Sequence, residues 1–199
     1  MKILDKYLFL GNFTRDSFVL FGDSQKCVEY LNAVIEAITH AANRAPLSDE
    51  DNAALESYMT NITTVLQAFN KLPSVNNFNV YKPIIDANEI SAHKVIALAG
   101  IRQALPSDGL LEEEQTVVND KIARVNSATT LPDIYSPQNE AIDYLALHPR
   151  KISALAAIEE AMQGNTDSKY LNDFVKEQVA TIKNATDAGT IANKKDDAI

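Results

Sequence analysis

Apolar residues along this chain recur every three or four positions over long stretches, the pattern of helices that each bury one face. After Gly22, with Asp23 or Ser24 as N-cap, the first stripe is Cys27, Val28, Leu31, Val34, Ile35 and Ile38. Asn43 to Leu47, which contains Pro46, ends it. Ser48-Asp49-Glu50-Asp51 then fits the [Ser/Thr]-x-x-[Asp/Glu] helix start, in which side chains satisfy the first free backbone N–H groups. Leu55, Met59, Ile62, Val65, Leu66 and Phe69 form the next stripe, which stops at Leu72-Pro73. These two stripes predict helical hairpin 1, residues 23–72.

The plan recurs twice. Asp86-x-x-Glu89 or Ser91 opens a helix with the stripe Val95, Leu98, Ile101 and Leu105, and Pro106-Ser107-Asp108-Gly109 is a turn. Leu111, Val118, Ile122 and Val125 continue to Leu131-Pro132, so residues 73–131 read as a connector plus hairpin 2. Pro149 suits a first helical position, Ile152, Leu155, Ile158 and Met162 form a face, and Gly164 is a C-terminal cap. Thr166-Asp167 restarts the chain, and Leu171, Phe174, Val175, Val179 and Ile182 close hairpin 3, with its connector residues 132–186. Within the connectors, Ser74 to Pro83 reads as loop or a short extended piece. Ser136-Pro137 reads as the cap and first position of a short accessory helix. Residues 187–199 lack periodicity and read as a mobile C-terminal tail.

Laid over itself with a shift of 57, the segment Lys94–Thr129 matches Lys151–Thr186 without a gap, with ten of 36 positions identical. A fixed period of this size is how stacked supersecondary units appear in a sequence. Ser48-Asp49, Ser107-Asp108 and Thr166-Asp167 recur at 59 and extend the register to hairpin 1. The expected fold is therefore all-α: three tandem hairpins preceded by a short extended or β-hairpin-like arm.

That arm, residues 1–22, differs from the rest. It holds Tyr7, Phe9, Phe13, Phe18 and Phe21, out of 7 Tyr and 7 Phe in the whole chain. Two apolar runs, Tyr7–Leu10 and Phe18–Phe21, end at Gly11-Asn12 and Gly22-Asp23, which favours strands or an extended ribbon over a helix. Such a ribbon is marginal alone in water and needs a surface. It either completes the core of its own hairpins or docks on a neighbouring subunit. Its five aromatics are the candidate partner-interface residues.

Composition narrows the function classes. With 199 residues, 46% hydrophobic and 23% charged, the chain can bury a real core, and 6 Gly and 7 Pro favour long helices over many short strands. A net charge of −9 lacks the basic footprint of a nucleic-acid binder and disfavours an anionic membrane surface. No apolar run spans a bilayer, and Leu8–Leu10 is too short for a signal-peptide core, so the expected location is intracellular, or within an assembly formed there. The lone cysteine, Cys27, excludes an intramolecular disulfide and reads as a small buried hydrophobe.

Catalytic patterns are absent. His40, His93 and His148 form no His-Glu-x-x-His pair, and no phosphate loop or nucleophile elbow occurs. Di-iron bundles need Glu-x-x-His, whereas Ala37, Ile90 and Leu145 stand three before the histidines. Asp49–Asp51 reads as helix capping, and Glu112–Glu114 as first-turn charge complementing a helix dipole. No catalytic, cofactor or metal residue is assigned. The expected function is a non-enzymatic assembly subunit or interaction scaffold, such as a virion component, with other protein subunits as partners. The alternatives are a small-molecule or lipid-binding helical domain, with Phe69, Phe78, Tyr81 and Tyr144 lining a pocket, and an enzyme whose histidines and carboxylates converge only in three dimensions.

Overall fold

Short polar side chains cap the starts of several helices, as the sequence requires. In the computed structural model, which describes residues 24–71, 75–163 and 169–199, α1 (Ser24–Arg44) and α2 (Asp49–Lys71) are joined by a short loop. Ser48 Oγ accepts from Asp51 N at 3.1 Å while the Asp51 carboxylate accepts from Ser48 N at 3.0 Å, the reciprocal capping box that the sequence predicts. α3 (Val75–Ala104), α4 (Glu112–Ser127), α5 (Leu131–Leu145), α6 (His148–Met162), α7 (Lys169–Asn184) and α8 (Ala188–Ala198) follow. The fold is all-α, and every regular element among the described residues is a helix.

The chain divides into two compact units, Met1–Gly100 with Val125–Tyr135 and Ile101–Arg124 with Ser136–Ile199. In the first, the stripes of α1 and α2 become the core as read. Cys27, Leu31, Ile35, Ile38, Leu55, Met59, Ile62 and Phe69 are buried, and Val28 packs at their edge. Burying one such aliphatic side chain contributes roughly 1.5–3 kcal/mol.

Three expectations are corrected. Residues 75–83, read as a loop, are the first turns of α3, with Pro83 inside the helix. The reason is tertiary: Phe78 is fully buried, edge-on to Tyr30 at 5.7 Å and to Phe69 at 6.1 Å. The buried face of α3 also differs from the Val95–Leu105 stripe. It runs through Phe78, Ile85, Glu89, Ala92, His93 and Ile96; of the stripe as read, Ile101 is buried and Val95 packs against the core, whereas Leu105 is exposed. A glutamate and a histidine inside the stripe masked its apolar period. The accessory helix starts at Leu131, five residues before Ser136-Pro137, because Thr130 caps it.

In the second unit, α6, α7 and α8 pack on one another. Residues 188–198, read as tail, form α8, capped by Asp187 and anchored by the buried Ile191 and Ala198. Phe174, expected on the α7 core face, is exposed, while Val175, Gln178 and Ile182 are buried. The Ser-Asp dipeptides do not hold equivalent places. Ser48 caps α2, whereas Ser107-Asp108 precede Gly109, whose φ of 92° turns the chain before α4.

Candidate functional site

Contacts of one kind recur at a 57-residue interval. Lys94 Nζ donates to Asn126 O at 2.7 Å and Lys151 Nζ to Lys183 O at 3.0 Å, each lysine closing the C-terminal end of the helix 32 positions ahead. Ala128 N donates to Val125 O, and Ala185 N to Ile182 O. Thr130 caps α5 with Asp133 as its partner, and Asp187 caps α8 with Thr190, the same two residue types exchanged. α4 and α7 end 57 residues apart, at Ser127 and Asn184.

The clasp on Lys151 is the most buried polar centre of the second unit. Pro149 sets the first turn of α6, which places Lys151, fully buried, against Glu114 of α4, also fully buried. Nζ lies 3.4 Å from Glu114 Oε1, donates to Tyr144 OH at 2.9 Å and stands 4.1 Å from the centre of the Tyr144 ring. Glu114 Oε2 accepts from His148 Nδ1 at 2.6 Å and from Leu111 N at 3.2 Å, and His148 Nε2 lies 3.3 Å from Asp108. A carboxylate orienting an imidazole is the arrangement of a general base. Here, however, His148 is only 3% exposed, and Glu114 also accepts from the Leu111 amide at the start of α4. The centre ties α4, α5, α6 and α7 together.

In the first unit, His93 of α3 meets Tyr135 of α5, with ring centres 5.6 Å apart and a hydrogen bond between Nδ1 and the phenol. Burial, and then the negative charge of Glu89, push the Tyr135 phenol up to about 12. Glu89 also lines an open cleft of about 540 Å³ with Tyr30, Lys82, Asp86 and Thr129–Pro132. There Tyr30 OH donates to Asp86 at 2.6 Å and Lys82 pairs with the same carboxylate.

Tyr7, Phe9, Phe13, Phe18 and Phe21 lie outside the described residues, as do Gly164 and Thr166-Asp167. His40 is exposed on α1. Cys27 is buried in the core. Asp51 caps α2 with Ser48 while Asp49 and Glu50 lie in its first turn, and Glu112–Glu114 do occupy the first turn of α4. Phe69 and Phe78 belong to the core of the first unit, with Tyr81 against it, and Tyr144 belongs to the second. Sequence reasoning missed Glu114, Lys151 and Glu89 as buried groups. The identity Lys94/Lys151 within the self-match was the available signal. Among the described residues no group of three or more His, Cys, Asp or Glu could hold a metal ion, and no helix is long and apolar enough to cross a membrane. No family model, curated protein or solved structure matches the chain.

Proposed function

We propose that this chain is a non-enzymatic assembly subunit or interaction scaffold, built from tandem helical units of 57-residue period and engaging other protein subunits. Its setting is the interior of a cell or a particle assembled there, such as a virion. The observation that carries the reading is the use made of reactive side chains. His148, Glu114 and Lys151 bond one another and helix ends, out of reach of a substrate, as registration devices between helices do. The net charge of −9 accords with protein partners in preference to nucleic acid. The aromatic arm, Tyr7, Phe9, Phe13, Phe18 and Phe21, supplies the anchor residues of the interface.

Size-exclusion chromatography with light scattering, on the full chain and on a full-length variant with those five aromatics changed to serine, tests it. The expected result is a defined oligomer for the parent and a smaller species with unchanged helical circular dichroism for the variant. A monomer in both, at every concentration and with no crosslinked neighbour in its native setting, overturns it.

A further inference from the structure

The 57-residue register places the α3/α5 seam of the first unit and the α6/α8 seam of the second in correspondence, and the two are filled differently. In the α3/α5 seam, Tyr135 bonds His93, and the same two helices carry the buried Ile96 and Ile134 and the half-buried Leu131. At the corresponding positions of α6 and α8 stand Ala192, Arg150, Ser153, Ala188 and Ile191. The isoleucine is kept and buried, and so is the small residue Ala97/Ala154 that lets the helices approach. The three large side chains Tyr135, Ile96 and Leu131 are replaced by alanine or serine. What remains is a groove of about 330 Å³ between α6 and α8, lined by these residues together with Pro149 and Lys195.

We infer that this groove is a binding site for a small aromatic carboxylate, its ring seated where Tyr135 sits in the other seam and its anion on Arg150, which takes the place of His93. Its volume is at the small end of ligand pockets, enough for one substituted ring. The buried Ala154 and Ile191, with the exposed Ala192 beside them, offer apolar contact to a ring. At the rim the Arg150 guanidinium, which is solvent-exposed, presents the planar fork that matches a carboxylate. Lys195 adds a second cation, paired along its own helix with Asp196 at 3.0 Å. With Lys195 already paired, the exposed Arg150 is the cation that favours an anion beside this apolar groove.

The test is a nitrogen–proton NMR titration of the full chain with 4-hydroxyphenylacetate, alongside 4-methylphenol (ring without anion) and hexanoate (anion without ring). Saturable shifts confined to residues 149–154 and 188–195 are expected from 4-hydroxyphenylacetate, with both controls weaker. Arg150→Gln, a change at an exposed position, is expected to weaken binding at least about tenfold, the effect of one charge-assisted hydrogen bond. Ala192→Tyr, which restores the ring of the other seam, is expected to abolish it. The inference is overturned by an absence of saturable shifts, by 4-methylphenol or hexanoate binding as tightly, or by an unchanged affinity in Arg150→Gln.

Discussion

Replacing Lys151 with methionine keeps the length of the side chain and removes its charge from a fully buried site. Three interactions go at once: the hydrogen bonds to Tyr144 OH at 2.9 Å and Lys183 O at 3.0 Å, and the ion pair with Glu114 at 3.4 Å. Glu114 then remains as a buried carboxylate held by His148 and the Leu111 amide alone. Leaving one member of a buried pair uncompensated costs about 3–5 kcal/mol. For a chain of this size that corresponds to a loss of about 6–20 °C in melting temperature. Urea unfolding followed by circular dichroism gives the total, and hydrogen exchange by mass spectrometry gives its location. Protection is expected to fall in α4, α6 and α7 and to stay unchanged in α1 and α2, which belong to the other unit. The double variant Glu114→Gln with Lys151→Met removes both charges and is expected to cost clearly less than the sum of the single changes. A loss below about 1 kcal/mol for Lys151→Met, or one spread equally over both units, refutes the assignment of Lys151 as the clasp of the second unit.

Lys94 makes the corresponding bond to Asn126 O from a half-buried position without a buried carboxylate beside it, so Lys94→Met is expected to cost about 1 kcal/mol or less in the same urea assay. The Glu140 carboxyl is held down to about 2 by hydrogen bonds from Lys121, Ser136 and Arg124. A lowered carboxyl stabilises the fold above its unfolded value and loses that effect as pH falls towards its folded one. The difference in melting temperature between parent and Glu140→Gln is therefore expected to vanish as pH falls from about 4.5 to about 2, and to shrink in high salt. Tyr135 has the opposite sign. Its phenol is raised from 10.0 to about 12, so the stability it contributes is complete below pH 10 and is lost as pH rises towards 12. Tyr135→Phe is expected to lose less stability over that interval than the parent, and to remove the most alkaline tyrosine step in an ultraviolet titration.

Where the stripe was purely apolar, reading and structure agree closely. The α2 positions Leu55, Met59, Ile62, Val65, Leu66 and Phe69 are all buried. Polar residues that enter the buried face were missed: Glu89 and His93 in α3, Glu114 in α4 and Gln178 in α7 interrupt the apolar period while lying inside, even where the apolar residues beside them, such as Val118, Val125, Val175 and Ile182, are buried as read. A carboxylate on a first helical turn looks like dipole compensation until the lysine that neutralises it is known. The start of α3 shows the same limit from the other side, since an Asn-rich stretch with Pro83 has poor helix propensity, and the burial of Phe78 overrides it.

The sequence by itself determined the all-α class and the first two helices with the Ser48–Asp51 cap between them. Each of these is set by residues three or four positions apart. Only the tertiary structure decided that Glu114 and His148, 34 positions apart, and His93 and Tyr135, 42 apart, would meet. It also decided that residues 188–198 form a helix and that a groove lies between α6 and α8. The physical reason is the range of the forces that write the pattern. Capping and amphipathic spacing act within about one helical turn. The pairing of buried charges depends on which helices come together, and that is settled by packing of the whole unit.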